Sequence, residues 1–253
     1  MIANLSMKKL CIIIPAYNEE KRIGRTLQEY LAFFNDLKQR RVLNYEMIVV
    51  LNGCTDNTLS VVQKEQEKFG NLKIIDLKDC GKGLATKAGF EDALRRDSDL
   101  IGFVDADMAT LPQFFYELML NMRDVTIASR YMPGAKVFPP RSLLKRWGSR
   151  IVYESLVRAL FGLSYYDLQC GAKLFKRGVI ETVLPHMTER QWAFDVELLY
   201  LCKKFGFSMR ELPTVWYERD GSKLRLSAGF LMLFALVRLR FAHSFFGRAF
   251  KRD

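Results

Sequence analysis

The chain has 253 residues, 49% of them hydrophobic, and a formal net charge of +11. That length suits one large α/β domain, or a domain with an appendage, and is enough to bury a substantial core. Five cysteines, an odd number with no C-x-x-C pair, and two histidines exclude a disulfide framework and a zinc site, and fit a reducing compartment. The basic balance implies an anionic partner: nucleic acid, a membrane surface or a phosphate-bearing substrate.

Leu10 to Pro15 reads as an isoleucine-rich strand, followed by a polar loop Y-N-E-E (17–20). A helix is expected over about Lys21 to Leu37, capped by Asn18 or a neighbour, with Ile23, Leu27, Leu31 and Phe34 on one face. Met47 to Leu51 is a second strand. N-G-C-T-D-N-T (52–58) is turn chemistry, with Thr55 or Asp56 able to cap a helix through Phe69. Leu72 to Leu77 is a third strand, and G-K-G (81–83) opens a helix at about Leu84 to Arg95. A fourth strand, Leu100 to Val104, a helix over Pro112 to Met122 and a strand at Val125 to Ala128 complete a β-α-β-α alternation. That alternation predicts an α/β fold with a Rossmann-like, mostly parallel sheet flanked by helices.

Beyond Arg130 the pattern loosens. Ser142 to Phe161 reads as an amphipathic helix, Gln169 to Phe175 as a short strand region, Trp192 to Phe205 as a helix and Met209 to Tyr217 as one strand. The tail from Ser227 to Phe250 interleaves aromatic side chains with arginine. Its longest uncharged run, Leu226 to Val237, is twelve residues, short of the ~20 that a spanning helix needs. It fits an in-plane interfacial helix better; a core helix and an oligomer contact are the other readings. Two stretches, Lys136–Arg158 and Arg219 to the end, hold six and eight Lys/Arg against one and two acids. Both also carry large apolar side chains, which favours a membrane surface over nucleic acid, and no nucleic-acid motif is present. The expected organisation is a catalytic domain over 1–225 and a membrane-associating tail over 226–253. No secretory signal is visible.

The chemistry gathers at strand ends. Asp105 and Asp107 follow the fourth strand, two residues apart, at the carboxyl edge where open α/β sheets bind ligands. Paired carboxylates are costly unless neutralised, and Mg²⁺ or Mn²⁺ would do so while holding substrate phosphates. A turn whose aspartates cap the helix from Leu111 is the bland alternative. P-A-Y-N-E (15–19) can grip a base and ribose with the flat face of Tyr17 and the acceptor Glu19. Asn52 can offer donor and acceptor to a base edge, Gly53 permits close approach, and Lys82 supplies a cation for phosphate. Each is common in an ordinary turn. Four at one edge favour a nucleotide-diphosphate site with a metal.

I-I-I-P-A-Y-N-E-E, G-K-G-L-A-T-K-A-G and V-D-A-D, in this order, resemble glycosyltransferase family 2, the GT-A fold. D-A-D-M-A-T (105–110), A-S-R-Y (128–131), D-L-Q-C-G-A-K-L-F (167–175), R-Q-W-A-F-D-V-E-L-L-Y (190–200) and W-Y-E-R-D-G-S-K-L (216–224) resemble its dolichyl-phosphate glucosyltransferases most and its dolichyl-phosphate mannose synthases next. The resemblance covers residues 8 to 241. It implies that Asp105 and Asp107 hold Mg²⁺ or Mn²⁺ on the diphosphate, and that Pro15, Tyr17, Glu19, Asn52, Gly53, Lys82, Asp105 and Ala106 form the nucleotide-sugar pocket. It further implies that Asp195 and Glu197 are an acidic pair near the acceptor. Arg130, Arg219, Ser222 and Lys223 would receive a lipid phosphate, and the 142–161 and 227–246 segments would lie at a membrane. L-N-G-C (51–54) replaces the D-D-G-S of many members. Ala109 stands where mannose synthases often carry a metal-binding Gln, which tilts the donor towards glucose.

The function these features imply is inverting transfer of a hexose, glucose favoured, from a nucleotide-diphosphate sugar to polyprenyl or dolichyl phosphate. UDP-glucose is the favoured donor and GDP-mannose the alternative; a member with a glycan acceptor is a further alternative. Asp195, Asp107 and Arg130 are the expected catalytic residues, with Asp195 either a weak base or an orienter. The expected location is peripheral, on the cytoplasmic side of a membrane. Exchanging Arg238, Arg240 and Arg248 for Glu is expected to lower liposome binding and leave nucleotide binding intact.

Overall fold

The computed structural model describes residues 8–140, 153–219 and 226–249, and in the last stretch the side chains of 233–244. In chain order the elements are β1 (Lys9–Ala16), α1 (Ile23–Gln39), β2 (Asn44–Asn52), α2 (Thr58–Lys68), β3 (Leu72–Leu77), α3 (Lys82–Arg95), β4 (Leu100–Val104), α4 (Pro112–Leu120), β5 (Val125–Ser129), β6 (Lys136–Phe138), α5 (153–161), β7 (Ala172–Lys176), α6 (Arg177–Val183), α7 (Phe194–Lys204), β8 (Met209–Pro213), β9 (Val215–Tyr217) and α8 (Leu226–Ala249).

Seven strands form one sheet in the order β3-β2-β1-β4-β7-β5-β8. All neighbours are parallel except β7, which runs antiparallel between β4 and β5. The apolar runs of β1, β2 and β4 are continuous because helices cover both faces of the sheet. Side chains of a strand alternate between faces. Cys11, Ile13, Ile48, Val50, Ile101 and Phe103 therefore pack towards α3, α6 and α7, and Leu10, Ile12, Ile14, Met47, Val49 and Leu51 towards α1 and α2. The expected α/β architecture, Rossmann-like and mostly parallel, is the one observed. Five cysteines are free.

The segment expected as one strand over Met209 to Tyr217 is two. β8 pairs with β5 in the main sheet, and β9 pairs with β6 in a separate two-stranded ribbon. Pro213 at the end of β8 has no N–H to extend a ladder. The chain turns there: Thr214 N donates to Ser129 O, and Thr214 O accepts from Lys136 N. This break carries β9 back to the aspartates of β4, where Thr110 bridges Trp216 and Tyr217 N donates to Ala109 O. Helix starts also differ slightly from expectation. α1 begins after Arg22 with no side-chain cap, because Asn18 is used between loops. Asn57 stands at the start of α2, yet the expected Asp56 does accept from Thr58 N at 3.0 Å.

Of the expected 142–161 helix, residues 153–161 are helical, with Val157 and Phe161 in the core; 141–152 lie outside the described residues. α8 packs Leu236 and Leu239 into the same core. Among the described residues no helix is long and apolar enough to cross a membrane.

Candidate active site

The loops after β1, β2 and β3 meet at one sheet edge and are tied by amide side chains. Asn18, at a positive φ of 51°, accepts from Thr55 N at 2.7 Å and so joins the first loop to the second. Asn52, only 4% exposed, donates to Ala16 O at 2.8 Å and accepts from Gly81 N at 3.2 Å. Its amide thus holds all three loops in register, a structural use beside the base contact expected of it. Gly53 has φ +68°, and a Cβ there would collide with the Cys80 thiol. Pro15 is buried inside β1 beside Val50. Tyr17 is 40% exposed. Glu19 chelates Arg22 with bonds of 2.6 and 2.7 Å.

Asp105 and Asp107 lie in the turn just past β4 rather than in the strand. The geometry that aligns them is therefore the turn, with Met108 at φ +59°, and not the two-residue repeat of a strand. They do not cap α4, whose N-cap residue, Leu111, makes no side-chain cap. Asp107 Oδ1 instead accepts from Ala109 N at 3.0 Å. Ala106 is buried, its carbonyl accepting from Thr26 Oγ1 at 2.8 Å. Asp105 receives the Lys82 ammonium at 2.5 Å. Burial first, and then the neighbouring Asp105 charge, push the Asp107 carboxyl up to about 6. Burial works against the Lys82 charge, but Asp105, Asp195 and Asp107 outweigh it and hold its pKa above the ordinary lysine value. Lys82 thus sits among the two aspartates of the turn after β4 and the one on α7.

Asp195 is buried and bonded to Lys173 Nζ at 2.5 Å. Lys173, 0% exposed, also donates to Cys170 O at 2.7 Å. Burial pushes the Asp195 carboxyl up, against the opposing pull of Lys173 and Lys82. Glu197, two residues on, does not share this place. Its oxygens take Thr188 N, Thr188 Oγ1, Glu189 N and His243 Nε2, so it shapes a loop instead of forming an acceptor-site pair with Asp195.

Arg130 is gripped bidentately by Asp167, at 2.6 and 2.8 Å, and its guanidinium lies 4.9 Å from the centre of the Trp216 ring. Arg219 lies over Tyr217 at 5.7 Å. Arg130 and Arg219 therefore both stack on β9, the short strand strapped to the β4 turn. Ser222 and Lys223 lie outside the described residues. Asp167, Gly171, Lys173 and Arg22 joined no expected site. Asp167 and Lys173 are visible in the sequence only as charged residues in an apolar stretch, D-L-Q-C-G-A-K-L-F (167–175). Arg22 lies in electrostatic reach of Asp107 and Asp105 although it starts a helix after β1.

The profile described as Glycosyl transferase family 2 matches residues 11–184, which include most of β1, the G-K-G loop and both aspartates. The chain belongs to this family. As a member it is a hexosyltransferase. It is 35% identical over 236 residues to the dolichyl-phosphate beta-glucosyltransferase of Drosophila melanogaster, covering 85% of this chain and 69% of that one. The human enzyme of that name is 32% identical over 229 residues (86% and 70%), and that of Dictyostelium discoideum 31% over 250 (92% and 74%). The fold matches glucosyl-3-phosphoglycerate synthase from Mycobacterium tuberculosis in complex with Mn²⁺, UDP-glucose and glycerol 3-phosphate. That match has a TM-score of 0.67 at 16% identity and covers 95% of this chain and 84% of that one. The same enzyme with Mn²⁺ and UDP-glucose gives 0.65 at 15% identity (92% and 79%).

Proposed function

We propose that this family 2 hexosyltransferase moves glucose from UDP-glucose to the phosphate of a polyprenyl or dolichyl phosphate at the cytoplasmic face of a membrane. The observation that carries the proposal is the meeting of Asp105, Asp107, Lys82 and Asp195 at one sheet edge. Three carboxylates against two lysines, Lys82 and Lys173, leave one negative charge in excess at this part-buried edge. An all-oxygen donor pair of this kind suits Mg²⁺ or Mn²⁺, and diphosphate oxygens would complete the coordination. The residues fit: Asp105 is held by Lys82 through one oxygen, and Asp107 gives one oxygen to a backbone N–H, so each keeps an oxygen without a protein partner among these bonds. A cation held by Asp105 and Asp107 would supply charge neutralisation for the leaving diphosphate.

The protein's own groups do the rest. Lys82 lies within reach of a diphosphate bound at Asp105 and adds a second positive charge. The acceptor monoester is already ionised near neutral pH (second pKa about 6), so attack on the anomeric carbon needs no strong base. Asp195, kept in place by Lys173, orients sugar hydroxyls. Arg130, locked by Asp167 and held over the Trp216 ring, keeps its remaining N–H groups for the acceptor phosphate, and Arg219 does so from just past the same strand. Glucose is favoured over mannose by the names of the relatives and by Ala109, which has no metal-binding side chain. In a donor panel of UDP-glucose, GDP-mannose and related sugars with polyprenyl phosphate and Mn²⁺, UDP-glucose should give the lipid-linked product. Asp107→Ala should abolish that product. Turnover with GDP-mannose alone would replace glucose by mannose, and full activity in the Asp107→Ala chain would refute the metal site.

A further inference from the structure

We infer that Arg238 and His243 of α8 are positioning residues for the donor site, acting through the loop at 188–191. The inference rests on the reading of Lys82 as a contact of the donor diphosphate.

The G-K-G loop is built against the backbone of that loop. Leu84 N donates to Arg190 O at 3.0 Å, and Gln191 Nε2 to Cys80 O at 3.1 Å. A Cβ on Gly83 would stand 2.6 Å from Glu189 O, and one on Gly81 would overlap Arg190 O. The two glycines are required because the two backbones touch, and the position of Lys82 between them follows from where 188–191 lies. Residues 187–190 have no regular secondary structure, so side chains must hold them. Two buried carboxylates do this. Glu197 accepts from Thr188 N, Thr188 Oγ1 and Glu189 N at 2.7–3.0 Å, and Glu189 Oε1 accepts from Gln191 N at 2.9 Å.

Each carboxylate takes a further partner from α8. His243 Nε2 lies 2.8 Å from Glu197 Oε1, and Arg238 Nη2 donates to Glu189 Oε2 at 2.6 Å. Arg238 also walls a cavity of about 440 Å³ together with Cys80 and Gln191. The path from α8 to the donor site is therefore continuous: Arg238 to Glu189, its backbone to Gly83, and Lys82 to Asp105. The sequence alone leads one to expect that exchanging Arg238 spares nucleotide binding. The structure assigns it the opposite effect.

The test measures UDP-glucose affinity of the full chain by calorimetry with Mn²⁺ and without lipid, so that membrane docking does not enter. Arg238→Ala should weaken binding about tenfold, the scale of one charge-assisted bond, while Arg238→Lys restores most of it. Arg240→Ala should leave affinity unchanged, because its Nη1 bonds Ser244 Oγ on its own helix. In Lys82→Ala the further change Arg238→Ala should cost little, since one acts through the other. Arg238 is 62% exposed as a side chain, so its truncation should fold. Glu189→Gln reads the same contact from the other side if it does not. Wild-type affinity in both Arg238→Ala and Glu189→Gln, or a loss that adds in full to that of Lys82→Ala, overturns the inference alone. A wild-type chain that binds no nucleotide sugar overturns the donor reading and this inference with it.

Discussion

Position 171 decides where Asp105 can stand. A Cβ on Gly171 would fall inside the Asp105 carboxylate, and Gly171 O accepts from Asp105 N at 3.0 Å. The antiparallel strand β7 thus begins where the β4 turn needs room, and only glycine gives it. Gly171→Ala should lower turnover about 10²-fold, the cost of displacing a reacting group by about an ångström, while Gly178→Ala, with open space around it, should leave turnover intact. Steady-state kinetics on the two variants checks this. The aspartates themselves were legible in the sequence because a charge pair after an apolar run is conspicuous. Gly171, Asp167 and Lys173 were not, because their roles arise from β7 inserting against chain order beside β4, a pairing with no local signature. Asn52 was legible as a site residue for a partly different reason: its amide orders the loops that form the pocket.

The parallel half of the sheet could be read directly from the sequence. Apolar runs of β-branched residues followed by turn chemistry specify a strand and a βα loop, and β1 to β5 lie where that pattern puts them. The second half could not be read so well, because β7, β8 and β9 are short and take partners far away in sequence. β5 and β8 are joined at their starts by Asp124. Its carboxylate accepts from Ser208 N at 2.9 Å and Ser208 Oγ at 2.5 Å, and pairs with Lys176 at 3.0 Å. The bonds from Ser208 above all hold its pKa down to about 2. The ionised form is the one favoured on folding. Its contribution is present above the ordinary carboxyl pKa of 3.8 and is lost as pH falls towards 2. Solvent screening at this part-exposed group limits it to about 1 kcal/mol. Asp124→Ala should therefore be about that much less stable than the wild type at pH 7, with the gap closing in acid. Denaturant melts at pH 7 and pH 2.5 would show it; an equal gap at both would mean the bonds do not depend on ionisation.

For the whole molecule, the charge of +11 and the outer face of α8 point the same way. Leu236, Leu239 and His243 face the core, while Phe234 and Phe241 stand 71% and 65% exposed with Val237 between them. An apolar ridge of this kind on a basic chain suits the headgroup region of a bilayer. This division of faces was legible as amphipathicity, whereas the clasp of Arg238 on Glu189 was not, since both look like ordinary surface charges in the sequence. Changing Phe234 and Phe241 to Ser should reduce sedimentation with anionic liposomes about tenfold or more, given ~2 kcal/mol for a buried aromatic side chain. UDP-glucose affinity in solution should stay as in the wild type. Unchanged sedimentation would remove this ridge from the membrane contact.

In the proposed reaction an ionised lipid phosphate, and not a hydroxyl, is the nucleophile. Offering UDP-glucose and Mn²⁺ with either dolichyl phosphate or dolichol, and reading the anomeric configuration of the product by NMR, separates the two. β-Linked glucosyl phosphate lipid should form from the first and nothing from the second. Transfer to dolichol at a comparable rate, or an α-linked product, would contradict this mechanism.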